Sequence, residues 1–502
     1  MSYAGIIKND RDASFRRGGT AIILTQLFGV LFILQLGFRE IADQSNALFF
    51  NAIFCIMLIA VSGGAALRYV LMNRLFVLTP VPWFFLACAL YYGFGPLMWN
   101  FAGQATIAYV DTASRVPIDN LRVLDANLLS VGGLTAVCAA LAALQFVFNW
   151  EGKAPQNFLD RFSAETLTRT FWVALAIGAA VKYLLVVPAS LGVIGVEIPN
   201  FISQLTLLLK AAIIVGYMAR ARGARGIRAA HTIIMALELL TAIMSTSKTE
   251  TLTVILMVII GQFITQRPMR QALILGVIAA VFYVSFLSNF VAFVRLNYST
   301  TGITSVGSLV DATSEFIVTD QSEVAEQSGV QLWWARLTFS NFQVFAIDSY
   351  ESGRNGNTLV AALWAVTPRI LFPNKPNLNA GGDFSEELMT GSSEWVQTSM
   401  TYFAEGYWNR GVWGLIFVSC WAASVYVILA SILFASFSAG RIGALLMGST
   451  AIPLGLGIEG WFASGLVGGF ALALLYAFIG YLYDQATVGR IGPFAVPTSY
   501  LR

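Results

Sequence analysis

Long apolar runs separated by short charged hinges limit most strongly how this 502-residue chain can fold. Each run approaches the length of about 20 residues that an α-helix needs to cross a bilayer, whereas strands of an outer-membrane barrel would be about 10 residues long and alternating. Only 11% of the residues are charged and 57% are hydrophobic. The pattern therefore predicts an all-α, polytopic integral membrane protein.

The apolar runs predict twelve membrane spans with both termini in the cytoplasm. Lys and Arg should concentrate in the cytoplasmic loops of such a protein. Most of them fall on the side that holds the termini, and the short loops of the other side carry only Arg39, Arg115, Arg122 and Lys248. The predicted spans are residues 20–37, 47–66, 75–97, 127–149, 171–195, 202–218, 229–246, 251–266, 271–293, 411–434, 441–459 and 463–482.

One long exterior segment, residues 295–410, remains between spans nine and ten. It divides the chain into a nine-span bundle (residues 1–294), the exterior segment, and a three-span bundle with a cytoplasmic tail (residues 411–502). A structureless loop of that length is improbable, so we expect it to contain interfacial helices. The aromatic-rich residues 332–347 fit such a helix, either as a membrane anchor or as part of a ligand site.

Three prolines stiffen residues 368–376, which read Pro-Arg-Ile-Leu-Phe-Pro-Asn-Lys-Pro. Because proline cannot continue a helix, we expect Arg369 and Lys375 at a fixed spacing outside the bilayer core. Acidic runs at residues 311–326 and 383–405 flank this basic centre. Arg and Lys suit phosphate, and a lipid-linked diphosphate fits best. The alternative is that these cations contact only anionic lipid headgroups or balance the acidic flanks.

Glu405 is the preferred candidate for a catalytic base. A glycosyl transfer needs a carboxylate that takes a proton from the attacking hydroxyl. Glu405 precedes span ten amid aromatic rings that are able to stack on sugars, namely Tyr402, Tyr407 and Trp408. The alternative is a structural carboxylate paired with Arg410 at a helix start.

Other charged residues lie in or beside the predicted spans. Lys248 follows a hydroxyl-rich turn on the exterior side, so it either faces the same cavity or simply begins a span. Lys182 is expected to be a functional cavity residue, with pairing to Glu238 as the alternative. Lys210 is expected to extend toward the cytoplasmic face, and Glu459 to lie near an outer helix end.

Metal chemistry is poorly supported by the residue content. His231 is the one histidine, and the Asp-x-Asp pair of Asp10 and Asp12 lies in the cytoplasmic tail. A catalytic zinc needs three protein ligands, and Mg²⁺ generally needs clustered carboxylates. The chain also lacks a Gly-rich phosphate loop. We therefore expect no metal, no other cofactor and no nucleic-acid partner.

Several short motifs stand in or near the exterior segment. They are Asn-Thr-Leu-Val-Ala-Ala-Leu at residues 357–363, Pro368-Arg369, Lys375-Pro376, and Glu-Gly-Tyr-Trp-Asn-Arg-Gly-Val-Trp-Gly at residues 405–414. Tyr-Tyr-Gly-Phe-Gly-Pro at residues 91–96 and the turn at Ser247-Lys248 add to them. Together with the twelve-span plan, these motifs resemble bacterial O-antigen and exopolysaccharide repeat-unit polymerases of the Wzy type.

The resemblance implies a glycosyltransferase-C-like helical architecture and a metal-independent transferase of the bacterial inner membrane. Such an enzyme moves a growing glycan from undecaprenyl diphosphate onto the free end of an incoming lipid-linked repeat unit. A flippase and a chain-length regulator are the implied partners besides the bilayer. The implied site has Glu405 near the acceptor and diphosphate contacts from Arg369 and Lys375, assisted by Lys248, Arg336 and Arg295.

Several alternatives stay open beside the polymerase, among them an acyltransferase or an undefined assembly factor. A lipid-oligosaccharide flippase also needs about twelve spans, but such transporters usually show two similar halves, which this chain lacks. An O-antigen ligase-like transferase would typically have an exterior His, which is missing here. In some polymerases of the family an Arg is followed eleven positions later by Gly, whereas here Ala380 stands eleven positions after Arg369 and Gly381 comes next.

Overall fold

A computed structural model describes most of the chain as helix. Within the described residues there is no β-strand, which confirms the prediction of an all-α protein. The residues described are 19–190, 194–195, 198–245, 247–265, 269–297, 306–318, 331–365, 367, 372, 374–375, 381, 384 and 399–488.

The described part of the chain contains fifteen main helices. Nine of them, within the residues described, are long and apolar enough to cross a membrane, namely α1, α2, α3, α5, α6, α7, α10, α13 and α15. The protein is therefore a polytopic membrane protein. The helices are α1 (Thr20–Ile41), α2 (Ala47–Met72), α3 (Pro80–Phe101), α4 (Gln104–Ser114), α5 (Asn120–Phe148), α6 (Ala164–Ala189), α7 (Ile202–Ala221), α8 (Arg228–Met244), α9 (Lys248–Ile264), α10 (Ile274–Val291), α11 (Val306–Val318), α12 (Ser340–Glu351), α13 (Tyr402–Ser438), α14 (Ala444–Leu456) and α15 (Phe462–Thr487).

The nine long helices coincide with nine of the twelve predicted spans. The three other predicted spans, at residues 229–246, 251–266 and 441–459, correspond to the shorter helices α8, α9 and α14. A helix of 17 residues such as α8 is about 25 Å long, and the hydrocarbon core is about 30 Å thick. The twelve-span plan therefore stays a prediction.

The chain packs into two compact units. Unit 1 comprises Met1–Ala154, Trp334–Ala435 and Ala451–Leu475. Unit 2 comprises Pro155–Trp333, Ser436–Thr450 and Tyr476–Arg502. These two units are defined by contacts within the structure, whereas the predicted division at residues 294 and 410 is defined by membrane topology. The topological division stays a prediction.

In unit 1 a buried carboxylate stabilises the first turn of α1. Oxygens of Glu151 accept the backbone N–H groups of Thr20 at 3.2 Å and Ala21 at 3.0 Å, and also the hydroxyl of Tyr69 at 2.8 Å. The first backbone N–H groups of a helix have no partner within the helix. Glu151 supplies the missing hydrogen-bond acceptors and so fixes the start of α1 in the core.

Part of the predicted exterior segment is buried in unit 1. The Trp334 indole donates to the Phe94 carbonyl at 3.0 Å, and the amide of Gln343 in α12 donates to the Ser130 hydroxyl at 2.7 Å. A Cβ atom at Gly95 would lie 2.1 Å from the Leu337 carbonyl oxygen, so only glycine permits this approach. The aromatic stretch at residues 332–347, predicted to be interfacial, thus contributes largely to the core.

Two ion pairs in the described part of unit 2 each join a long helix to one of the shorter helices α8 and α9. The Lys182 ammonium donates to both carboxylate oxygens of Glu238 at 2.9 Å, and the Tyr183 hydroxyl donates to one of them at 2.7 Å. Lys210 lies 3.4 Å from Glu250. The pairing alternative for Lys182 is therefore what the structure shows. Lys210, expected to extend toward the cytoplasmic face, instead lies beside Glu250 in the first turn of α9, at the end of that helix predicted to be exterior.

Candidate functional site

Glu405, the predicted base, lies in the first turn of α13 and is fully buried. Its Oε1 accepts the Thr358 hydroxyl at 2.6 Å, and its Oε2 accepts the backbone N–H of Phe462 at 2.6 Å. Thr358 belongs to the loop before α13, and Phe462 begins α15. One carboxylate therefore connects three segments of unit 1 that are distant in sequence.

Asn409, one helical turn after Glu405, completes this network. Its amide nitrogen donates to the Thr358 hydroxyl at 3.0 Å and to the Glu405 carbonyl at 2.8 Å. Its amide oxygen accepts the backbone N–H of Leu359 at 3.2 Å. The structure thus brings together the motifs at residues 357–363 and 405–414, which the sequence presents separately.

The alternative of a Glu405–Arg410 ion pair is not observed. Among the residues that the structure describes, no Lys or Arg lies within 4.0 Å of the Glu405 carboxylate. A base must reach the hydroxyl that it deprotonates. Because both oxygens of Glu405 already accept hydrogen bonds, an acceptor hydroxyl must displace one donor or act through it.

Helix α13 breaks at Arg410 and Gly411. Gly411 has φ 57° and ψ −141°. This backbone conformation is strained for every residue other than glycine. A Cβ atom there would also lie 2.5 Å from the Tyr350 ring. Glycine is therefore required at this position, and the break separates the buried turn around Glu405 from the apolar length of α13.

A cavity of about 360 Å³ lies at this break. Arg410 lines it together with hydrogen-bonding side chains and apolar ones. Arg410 lies at the break and Phe417 lies beyond it, so the lining changes from charged to apolar along α13. The lining residues are Tyr350, Asn355, Leu359, Asn409, Arg410, Trp413, Gly414 and Phe417.

The predicted sugar-stacking residues differ in their surroundings. Tyr402 and Trp408 are buried, with the Tyr402 hydroxyl 3.3 Å from that of Tyr426 and the Trp408 indole donating to the Arg354 carbonyl at 3.0 Å. These two rings therefore belong to the core. Tyr407 is half-buried. Its ring packs edge-on against Tyr350, 5.4 Å away, so it supports the cavity wall.

Two of the predicted diphosphate-binding cations lie in described parts of unit 1. Lys375 is half-buried, and its ammonium donates to the Thr367 carbonyl at 3.0 Å. Arg336 is exposed on the turn before α12 and acts electrostatically on Glu459. Arg369 lies outside the described residues, so the proposed grip of Arg369 and Lys375 on one diphosphate stays a prediction.

The two other predicted cations, Lys248 and Arg295, lie on helices of unit 2. Their side chains are outside the described part of the structure. At the start of α9, the Ser247 hydroxyl accepts the backbone N–H of Glu250 at 3.2 Å, as a helix-capping residue does. The Ser247-Lys248 motif therefore has a structural reason, and its role in phosphate binding stays a prediction.

Glu459 is a second carboxylate near this network, and the sequence did not single it out for the site. The prediction made it the last residue of span eleven, near an outer helix end; α14 ends at Leu456, so Glu459 lies just beyond that end, in the connection to α15. Burial raises the pKa of its carboxyl group, while a hydrogen bond from Tyr91 and the charge of Arg336 lower it. In the sequence, Glu459 stands near two glycines between two apolar runs, and this pattern was the signal that could have marked it as a site residue.

Within the described residues, no group of three or more His, Cys, Asp or Glu side chains is placed to bind a metal ion. The carboxylates of this network contact hydroxyl and backbone N–H groups: Glu405 accepts from Thr358 and Phe462, and Glu459 accepts from Tyr91. Comparisons of the chain with protein families, with curated proteins and with solved structures found no match.

Proposed function

We propose that this protein polymerises undecaprenyl-diphosphate-linked oligosaccharide repeat units at the outer face of a bacterial inner membrane. The product would be an O-antigen, a capsular polysaccharide or an exopolysaccharide. The proposal includes a twelve-span, glycosyltransferase-C-like architecture with both termini in the cytoplasm. The observation that carries it is the cavity at the break of α13, where a cation and apolar rings line the same space.

A lipid-linked diphosphate is itself charged at one end and apolar at the other. Arg410 is exposed and, among the residues described, has no carboxylate within 4.0 Å, so its charge is left for a ligand. Guanidinium groups bind phosphate oxygens through paired hydrogen bonds. Trp413 and Phe417 offer apolar surface further along α13, where an isoprenoid chain would lie.

The acceptor sugar would lie at the polar part of the cavity. Asn355, Asn409 and Tyr350 provide donors and acceptors for sugar hydroxyl groups. Thr358 adjoins the lining residue Leu359, and its hydroxyl accepts from the lining residue Asn409 and donates to Glu405. An acceptor hydroxyl that takes the place of the Asn409 amide at Thr358 can therefore pass its proton through that oxygen to the carboxylate. Glu405 thus takes up the proton without being exposed, and the new glycosidic bond forms as the diphosphate leaves.

Polymerisation in membrane vesicles that contain the full-length protein tests this function. With lipid-linked repeat units as substrate, R410A and R369A should each lower polymer formation about tenfold or more while single repeat units persist. R354A is the matched control, because Arg354 is an exposed cation of the same segment that does not line the cavity. It should retain wild-type chain lengths.

Two results would count against the polymerase. Normal chain lengths in R410A and R369A would remove the proposed site. Accumulation of lipid-linked units on the inner leaflet in a strain that lacks the protein would instead indicate a flippase, because a polymerase acts after the units have crossed the membrane.

A further inference from the structure

A second cavity, of about 400 Å³, lies in unit 2 at the turn between α7 and α8. Three arginines line it, namely Arg220, Arg225 and Arg228. Arg220 lies in the last turn of the span-length helix α7, and Arg225 and Arg228 follow the end of that helix. The positive-inside count explains why arginines occur in this loop, but it does not explain why three of them surround one cavity.

The turn itself has a fixed backbone. Gly223 has φ 90°, and the N–H of Ala224 donates to the Ala219 carbonyl at 3.0 Å, as in a Schellman helix end. The N–H of Arg228 then donates to the Arg225 carbonyl at 3.3 Å and leads into α8. These bonds keep Arg225 and Arg228 close to the last turn of α7.

Buried His231 orients the third arginine. Its Nε2 lies 2.9 Å from the Ile213 carbonyl, which can only accept, so Nε2 carries the proton. The other nitrogen, Nδ1, therefore accepts from Arg220, whose guanidinium nitrogen is 3.4 Å away. Neutral His231 thus acts as a positioning residue for Arg220.

The arginines of this turn differ in their ion pairing. A fourth arginine of the turn, Arg222, pairs with Asp160 at 2.8 Å. In the part of unit 2 that the structure describes, no carboxylate lies within 4.0 Å of Arg220, Arg225 or Arg228. Like charges around one cavity repel each other, and a bound anion would relieve this repulsion.

We propose that this cavity binds a phosphate group, carried either by an anionic phospholipid headgroup or by free phosphate. The planar guanidinium group of arginine can donate paired hydrogen bonds to two phosphate oxygens. Basic pockets between membrane helices bind anionic lipid headgroups. The Tyr217 hydroxyl accepts from Gln262 at 3.4 Å, which leaves its own proton to donate. The Thr265 hydroxyl donates to the Gly261 and Gln262 carbonyls, so the arginines are the main donors. This site is independent of the proposed polymerase site.

Native mass spectrometry of the full-length, delipidated protein in detergent tests this proposal. Titration with short-chain phosphatidylglycerol should give a saturable lipid adduct, and R225A and R228A should each weaken binding about tenfold. In a parallel arm, inorganic phosphate is added as competitor. Competition at matched concentrations identifies free phosphate as the source, and absence of competition identifies the lipid headgroup.

R222A is the matched control, because Arg222 is exposed in the same turn but does not line the cavity. It should bind phosphatidylglycerol as the wild type does, and equal melting temperatures should show that all three variants are folded. Equal weakening in R222A and R225A would reveal only a general basic surface and would overturn the proposal. So would equal binding of phosphatidylcholine, or failure of both phosphatidylglycerol and phosphate to bind.

Discussion

The carboxylate of Glu405 and the backbone nitrogen of Phe462 lie 2.6 Å apart and join the first turns of α13 and α15. The same carboxylate accepts the Thr358 hydroxyl at 2.6 Å. Glu405 thereby satisfies two buried donors at once. This structural role and the proposed role as a base make different demands on the side chain, so substitutions can separate them.

Replacement of Glu405 by Ala should destabilise the protein, because each buried donor left without an acceptor costs about 1–3 kcal/mol. Replacement by Gln should stay within about 1 kcal/mol of the wild type, because the amide oxygen can accept Phe462 N–H while the amide nitrogen donates to Thr358. Thermal unfolding in detergent measures both effects. E405Q should nevertheless lose polymerisation, and an active E405Q variant would remove the base while leaving the structural role.

Gly411→Ala should disturb the cavity through the backbone. The φ of 57° and ψ of −141° should cost a non-glycine residue about 1–3 kcal/mol, and the new methyl group would displace the Tyr350 ring. We expect a lower melting temperature and reduced polymerisation. G29A in the middle of α1 is the control, since open space surrounds that position and Ala should be more stable there by about 0.5–1 kcal/mol.

The fold was largely predictable because apolar runs must form helices in a bilayer. Each predicted span has a corresponding helix, as the coincidence of residues 47–66 with α2 and of residues 411–434 with α13 illustrates. The count of spans was less certain, because α8 and α14 are shorter than an ordinary span. Hydropathy does not show where such a helix ends, and so Glu459 was assigned to a span.

The site was predictable only in part. Glu405 was singled out from its neighbours, but its partners Thr358 and Phe462 are distant in sequence and no local pattern reveals them. Trp413 was missed as a lining residue because it reads as an ordinary apolar residue of a span. Its position beside Arg410 depends on the backbone of Gly411, which a pattern of residue types does not encode.

Glu459 should make stability depend on pH. Burial raises the pKa of its carboxyl group above the ordinary 4.5, so the folded state favours the protonated form. The stabilising contribution of the protonated carboxyl group to the free energy of unfolding is fully present below about pH 4.5. It is lost as pH rises through the higher folded pKa. E459Q should therefore gain stability relative to the wild type as pH rises from 4.5 through the folded pKa, by at most about 1.4 kcal/mol per pH unit. Melting temperatures across this range measure the gain.

Asp43 provides a control of opposite sign for this experiment. Hydrogen bonds from the Ser45 hydroxyl and from the backbone of Asn46 lower the pKa of its exposed carboxyl group. Its stabilising contribution is therefore present above the ordinary value and lost in acid. D43N should lose stability relative to the wild type as pH rises, and a parallel response of D43N and E459Q would contradict the assignment.

The Lys182–Glu238 pair is expected to behave as a buried ion pair. Glu238 is 1% exposed, and both of its oxygens accept the ammonium at 2.9 Å. K182M would leave the carboxylate without its cation, and such a change costs about 3–5 kcal/mol. K182M/E238L replaces both charges by apolar groups of similar size, so it should lie near the wild type or above it.

A double-mutant cycle of K182M, E238L and their combination measures this coupling by thermal unfolding. The Tyr183 hydroxyl, which donates to Glu238 at 2.7 Å, loses its acceptor in E238L and in the double variant, so Y183F in the double-variant background is the control. The two single variants should be less stable than the double variant, because each leaves one charge buried. If the losses of stability in the two single variants add up in the double variant, the two side chains are not coupled. If a stable double variant loses polymerisation, the pair has a functional role.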